Sequence, residues 1–412
     1  MSAARSLEGS FDELLMEAIL TDEGRQDPYP VYAELRAHAP RHRTAMGGFV
    51  LTGYEDCLEL LRNPRFGRPE DNMDAPATLR DRSPLPLGES GSMLFKNPPD
   101  HTRLRGLVSR AFTPKRVDAL RPQIRSLLEP ILDQLADAGS ADIMEVLASS
   151  LPIAVISALL GVPEQENDRF RGLVRDMTAF IDAAADEEAL ARAGAAAAEV
   201  GEYFLGLIAD LREHPDDGLL SAMIQVEAEG DRLSEGELLS NAMLLYAAGF
   251  ETTSNLIGNG LRALLLFPDE MQRLRADPQL MPSAIWEILR WDSPVQLNGR
   301  TALESVRALD IDFVRGDSAI ILQGAGNRDP SAYQDPDRFD VGRFADDRVP
   351  PPLSFGWGIH HCLGAHLARA EGEVVFAGLL ERFADIELAS ADMHYRSSFT
   401  LRGLDSLVVA VR

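Results

Sequence analysis

Cysteine is nearly absent from this sequence: Cys57 and Cys362 are the only two in 412 residues. Such a chain carries no disulfide framework, and a reducing, cytoplasmic setting is the expectation. Long apolar runs are missing too. The longest stretch free of Asp, Glu, Lys, Arg and His, VLASSLPIAVISALLGVP (146–163), is interrupted by Ser149, Ser150, Pro152 and Ser157, which predicts a buried core helix rather than a membrane span. The N-terminal MSAARSLEGSFDELLMEA has no apolar core and carries acids early, so it does not read as a signal peptide. Basic residues are scarce: 40 Lys and Arg stand against 65 Asp and Glu, a net charge of −25. That balance argues against nucleic acid and anionic lipid as partners. There is no internal repeat or flexible linker, so one domain over residues 1–412 is expected, with 45% hydrophobic residues ample for its core.

What is present is mainly helical. PQIRSLLEPILDQLADA (122–138) and SNAMLLYAAGFETTSNLIGNGLRALLLF (240–267) place apolar residues at helical spacing. Short β-branched or alternating pieces, FVLTG (49–53), SAIILQG (318–324) and SLVVAV (406–411), predict small marginal sheets. Residues 66–95 are rich in Pro, Gly, Asp and Ser and predict a long loop of the kind that is often functional. Residues 182–199 read as a loop entering an alanine-rich helix, either a lid or a solvent-facing helix.

One of the two cysteines falls in the most irregular motif, SFGWGIHHCLG (354–364). A lone cysteine is usually a small buried hydrophobe. Here, however, glycines flank Cys362 and let backbone N–H groups approach its sulfur, and a helix pattern begins just beyond, which favours thiolate over thiol. Such a sulfur suits a soft metal. Zinc fits poorly, because His360, His361 and Cys362 are consecutive and no second Cys/His cluster exists. The spacing Phe355-x-x-Gly358-x-x-x-Cys362-x-Gly364 resembles the haem-binding loop of the cytochrome P-450 family.

Other motifs follow in that family's order. His101 and Arg105 share a helix face at i,i+4, where like charges repel and an anion between them relieves the cost. Ala248 and Thr252 share another face, with Gly249 and Glu251 beside them, and the glycine is expected to open a groove toward the hydroxyl. Glu287 and Arg290 form an i,i+3 pair, which on a surface is worth little. The resemblance implies a mainly α, cytochrome P-450 fold: a large helical domain with small marginal β-sheets and haem between the central long helix and the cysteine loop.

By the same resemblance, Cys362 is the metal ligand of haem b (iron protoporphyrin IX). His101, Arg105, Arg300 and His360 serve its propionates, Ala248, Phe355 and Gly364 contact it, and Glu251 and Thr252 deliver protons to bound dioxygen. Glu287, Arg290 and Arg338 form a structural network, and His361 has no assigned role. Positions implied to line a substrate pocket are Met93, Leu94, Leu244, Leu245, Ala248, Val295, Leu297 and Phe399. They are mostly apolar, so a lipophilic substrate is expected, with Gln296 and Asn298 available to hydrogen-bond a polar group.

The implied activity is monooxygenation: one oxygen atom from O2 enters a C–H bond or an alkene, and the electrons come from elsewhere. No fused flavin or nicotinamide domain is expected from these 412 residues. Residues 101–126 hold Arg103, Arg105, Arg110, Lys115, Arg116, Arg121 and Arg125 against one acid, Asp118. This basic patch on an acidic background predicts docking of an acidic ferredoxin or flavodoxin, served by a reductase, near Arg103, Arg110, Lys115 and Arg116. A monomer is expected. The alternatives are a peroxide-driven peroxygenase, against which Glu251 and Thr252 speak, a non-catalytic haem sensor, and a helical scaffold with a merely buried cysteine.

Overall fold

The apolar run at 240–267 lies, but for Phe267, within one unbroken helix, Glu235–Leu266, in the computed structural model of the chain. The structure describes residues 2–45, 47–70, 73, 91–182, 185–226, 231–390 and 393–412. Most of the predicted loop at 66–95 lies outside these residues. Its described ends are a two-residue strand, Phe66–Gly67, and a single turn, Met93–Phe95. The chain forms two compact units, each from discontinuous segments. The first comprises Met1–Arg80, Asn259–Cys362 and Asp392–Asp405, and the second Asp81–Gly258, Leu363–Ala391 and Ser406–Arg412.

The first unit is built on a five-stranded sheet in the order Arg41–Arg43, Phe49–Leu51, Ser318–Leu322, Leu297–Ala302, Phe66–Gly67. Two of the predicted strand segments meet here: Phe49–Leu51 runs parallel to Ser318–Leu322, with Val50 opposite Ile320. Leu297–Ala302 pairs antiparallel on the other side, so that Arg300 faces Ala319. β-Branched and aromatic side chains suit a pleated, buried surface. Phe49, Phe66, Phe313, Ile321 and Leu353 accordingly form one core, against which Trp357 packs.

A buried polar knot ties distant segments of this unit together. Asp292 accepts hydrogen bonds from Tyr29 Oη (2.8 Å), Tyr395 Oη (2.5 Å) and Arg402 Nε (2.6 Å). Burial opposes its charge, but Arg402 and Arg262 outweigh that cost and hold the carboxyl below its usual range.

The second unit is helical. Arg121–Ala138 packs against Ala365–Arg382 at Gly378, where an added Cβ would sit 2.7 Å from Leu128 Cδ2. The uncharged stretch becomes the helix Ser150–Leu160, ended by Gly161 at φ +80° and buried along most of its length. Among the described residues no helix is long and apolar enough to cross a membrane. The alanine-rich segment is the helix Glu187–Glu213, capped by Asp186, whose carboxylate accepts from Ala189 N. Ala193, Ala196, Ala197, Val200, Phe204 and Ile208 are buried at helical spacing, so this helix is packed on one face rather than solvent-facing all round. A three-stranded sheet closes the unit, with Val408–Val411 between Ser140–Asp142 and Ile386–Leu388.

Candidate active site

The cysteine loop is built by hydrogen bonds to itself. Gly356 N donates to Leu353 O (2.7 Å), His361 N to Gly358 O (3.1 Å) and Cys362 N to Phe355 O (2.8 Å). Gly356 and Gly358 take φ values of +63° and +72°, and a Cβ on Gly358 would lie 2.4 Å from the Leu61 carbonyl oxygen. Only glycine fits there. The fold leaves Cys362 exposed, whereas Cys57 is fully buried and burial raises its thiol pKa well above the ordinary value. Aromatic rings brace the loop. Phe355 meets Trp286 edge-on at 5.7 Å, Trp357 meets His361 at 6.0 Å, and the Arg62 guanidinium lies 4.3 Å above the Trp357 ring. His361 is therefore part of the packing.

What holds the loop in place is a buried ion network on the helix Met281–Trp291. Glu287 and Arg290 are completely buried and paired through Nε (2.7 Å) and Nη2 (2.9 Å). The expected third member, Arg338, is not part of it: that side chain is 63% exposed and only 4.0 Å from Glu270. Arg343 takes the place. Its side chain is 9% exposed and its Nε donates to both Glu287 oxygens at 3.1 Å. Arg338 contributes only its carbonyl, which accepts from Arg290 and Arg343. Between the two arginines the chain turns, with Arg343 N donating to Asp340 O (3.0 Å) and Asp340 N to Glu287 Oε1 (2.8 Å), which brings Arg343 back to the carboxylate. From this network a chain of bonds reaches the loop. Arg290 Nη1 donates to the Asn327 carbonyl (2.9 Å), and the Asn327 side chain bonds Leu353 N (2.7 Å) and Ser354 Oγ (2.8 Å).

Beside the loop lies the strand that carries Arg300, with Asn298 Nδ2 3.8 Å from the Cβ position of Gly356. Arg300 is 2% exposed. Its Nη1 donates to Asn298 Oδ1 (2.8 Å) and the Gly299 carbonyl (2.9 Å), and no carboxylate pairs with it among the described residues. Burial, and then repulsion from Arg68, lower its pKa to about 9. Arg68 also reaches the Gly299 carbonyl (3.5 Å), and burial lowers its own pKa to about 10. Two guanidiniums converging on one carbonyl form a site for an anion. Arg68 was not singled out from sequence, because nothing there links it to a strand more than two hundred residues away. Together an exposed sulfur on a glycine loop and these cations fit a carboxylate-bearing cofactor with a soft metal. Two polar candidates are already engaged: Asn298 by Arg300, and Gln296 by Ser293 O (2.8 Å) and Tyr29 Oη (3.4 Å).

The second unit carries most of the other predicted residues, while His360, Val295, Leu297 and Phe399 belong to the first. His101 is buried and Arg105 half-buried on the helix Asp100–Ala111. On the central helix Leu244, Ala248 and Thr252 form an accessible stripe, while Leu245 is buried. The Thr252 hydroxyl donates to the Ala248 carbonyl at 2.7 Å. Gly249 opens no groove beside it, because the space of its missing side chain is filled by Ile156 Cδ1, 3.1 Å from the Cβ position. Glu251 is 5% exposed and points another way, with Arg175 Nε 4.0 Å from its Oε2 and Arg175 itself 44% exposed. Gly364 caps the helix Ala365–Arg382, and His360 ends the turn Gly358–His360. Of the predicted lining residues, Met93 and Leu94 sit on the single turn of this unit, while Val295, Leu297 and Phe399 belong to the first unit, where Val295 bridges to Leu401 and Phe399 is buried.

The basic patch is thinner than its composition. Arg103 pairs with Glu237 and Asp231, Arg121 with Glu373 and Asp118, and Arg125 with Glu129 and Glu381. Arg116 donates to the carbonyls of Ala111 and Asp217. Arg110 and Lys115 remain exposed.

The arrangement is that of a helical, cofactor-dependent enzyme with a presented cysteine. The Cytochrome P450 family model matches residues 71–394. Cytochrome P450 107B1 of Saccharopolyspora erythraea is 42% identical over 94% of this chain and 96% of its own length. The 6-deoxyerythronolide B hydroxylase of the same organism is 38% identical over 94% of this chain and 97% of its own. The crystal structure of P450BioI in complex with hexadec-9Z-enoic acid ligated acyl carrier protein matches with a TM-score of 0.86 at 33% identity, over 95% of this chain and 99% of that one. The chain belongs to the cytochrome P450 family, and it is a monooxygenase. The family implies a haem-thiolate cofactor.

Proposed function

We propose that the protein binds haem b through the Cys362 thiolate and inserts one oxygen atom of O2 into a lipophilic small molecule, by hydroxylation or epoxidation. The observation that carries this reading is the exposed Cys362 on a loop closed by Phe355 and locked to the buried Glu287–Arg290–Arg343 network. When bound, the haem supplies the activation of dioxygen, helped by a thiolate ligand that favours O–O cleavage.

The protein's own residues supply the rest. Arg300 with Arg68, and His101, Arg105 and His360, hold the cofactor's carboxylates, and Phe355, Gly364 and Ala248 complete its seat. Glu251 moves protons inward from the solvent side, where the half-exposed Arg175 marks the entry, and Thr252 hands them on by releasing its Ala248 bond. Met93, Leu94, Leu244, Leu245, Val295, Leu297 and Phe399 offer apolar contact to substrate. The similarity to a 6-deoxyerythronolide B hydroxylase and to an enzyme in complex with a hexadec-9Z-enoic acid ligated acyl carrier protein supports a lipophilic substrate. Electrons arrive from a separate ferredoxin or flavodoxin attracted by Arg110 and Lys115. A monomer in the cytoplasm is the working assignment.

The test is optical. The purified protein, reduced under carbon monoxide, is expected to show the strongly red-shifted Soret band of a thiolate-ligated haem. A folded, haem-loaded sample without that band overturns the proposal.

A further inference from the structure

Ahead of the Thr252 turn, the central helix carries an amide where an apolar residue would pack. Asn241 is 0% exposed, one turn before Leu244 and Leu245. Burying an amide is costly unless both ends are bonded, and both are. Asn241 Nδ2 donates to the Glu237 carbonyl (2.7 Å), and Oδ1 accepts from the backbone N–H of Met93 (3.1 Å). The orientation is forced, because a carbonyl can only accept and an N–H only donate.

Met93 opens the Met93–Phe95 turn, whose own closing bond runs from Phe95 N to Ser92 O (3.1 Å). The Asn241 bond therefore fixes where this turn lies along the central helix. A second fastening backs it. The Glu237 carboxylate accepts from Ser234 N (2.9 Å) and pairs with Arg103 of the helix Asp100–Ala111, which begins seven residues after Met93 by sequence number. Arg103, assigned from sequence to electron-donor docking, is committed to this fastening instead.

We propose that Asn241 is a positioning residue for substrate recognition: by holding the Met93 N–H, it sets the register of the Met93–Phe95 turn on the central helix and so decides which bulky ligands the site accepts. The proposal rests on the reading of Met93 and Leu94 as substrate-lining. Asn241 touches neither substrate nor cofactor in this role and acts through the turn. A small ligand that reaches only the metal is indifferent to it, whereas a large one that presses on Met93 and Leu94 is not.

The experiment uses the haem-loaded full-length protein and two azoles, imidazole and clotrimazole, with binding read from the shift of the haem absorption band. Asn241→Leu keeps side-chain volume and removes the acceptor. Asn241→Ser, the second variant should the leucine form not fold, keeps a bond to the Glu237 carbonyl but does not reach Met93. Asn241→Asp keeps the acceptor. The leucine and serine forms are expected to bind imidazole within about twofold of the parent and clotrimazole about tenfold more weakly, as loss of one buried hydrogen bond implies. The aspartate form, which keeps the acceptor for Met93 N but donates to the Glu237 carbonyl only when protonated, is expected to recover part of that loss, more at low pH. An unchanged clotrimazole-to-imidazole ratio in the folded variants overturns the proposal. Failure of the parent itself to show an imidazole shift strikes instead at the haem reading beneath it, so the two failures are told apart.

Discussion

Replacing Arg343 by methionine tests the network that carries the cysteine loop. The side chain is almost fully buried and makes five hydrogen bonds: two from Nε to Glu287 at 3.1 Å, and others to the carbonyls of Gln334 (2.6 Å), Asp335 (3.3 Å) and Arg338 (2.8 Å). Methionine matches its length and makes none of them. Glu287 keeps Arg290 and the Asp340 N–H, so its charge is not abandoned. The cost therefore falls at the lower end of the range for breaking a buried ion pair, about 3 kcal/mol. Arg338→Met removes an exposed side chain 4.0 Å from its partner and should cost less than about 0.5 kcal/mol. Urea unfolding at matched haem content, followed by tryptophan fluorescence, measures both. The assay is local, because Trp286, Trp291 and Trp357 are the only tryptophans and all belong to the first unit. If Arg343→Met unfolds within 0.5 kcal/mol of the parent, or Arg338→Met costs as much, the assignment of the third network member is refuted.

Three further outcomes are expected. Arg300→Met should leave the cofactor-free chain as stable or more so, yet weaken haem retention about tenfold in a transfer assay, because the cofactor's carboxylate loses its buried cationic partner. Burial lowers the folded-state pKa of Arg300 to about 9, below its unfolded value, so between those values the unfolded chain binds more protons and cofactor-free stability rises with pH. That rise should be smaller in Arg300→Met, and equal slopes would contradict it. Glu251→Gln should lower product formation by about a hundredfold, the usual scale for a proton-transfer group, while leaving the carbon monoxide spectrum unchanged. The Arg110→Glu/Lys115→Glu pair should slow reduction by an acidic ferredoxin and flatten its salt dependence, whereas Arg103→Glu should act on stability. Unchanged reduction by the double variant removes those two residues from the docking surface.

The site was legible where spacing alone carries the chemistry. Gly356, Gly358 and Cys362 announce themselves because backbone at positive φ and crowding against Leu61 admit only glycine. The long helices and the strands at 49, 318 and 408 follow from periodicity and β-branching. Sequence failed where the answer depends on which way a turn returns the chain. Arg338 and Arg343 are equivalent candidates in DPDRFDVGRF, and only the turn between them, closed by Arg343 N on Asp340 O, tells them apart. Counting charges along residues 101–126 overstated the patch, because Glu237, Glu373 and Glu381 come from distant segments to neutralise it. The groove expected at Gly249 was lost to Ile156 for the same reason: a neighbour that periodicity cannot name.

The Asp292 knot has a consequence for the order in which the molecule is made. Its partners are Tyr29 from the beginning of the chain and Tyr395 and Arg402 from near the end. The sheet of the second unit likewise has Val408–Val411 as its middle strand. Both units thus depend on residues 393–411, far in sequence from the segments they join. Long-range closure of this kind is slow and leaves apolar surface uncovered meanwhile. Neither core can seal until residues 393–411 are in place, so expression yield should respond to chaperone supply and to the integrity of that segment more sharply than to changes in the solvent-facing helices.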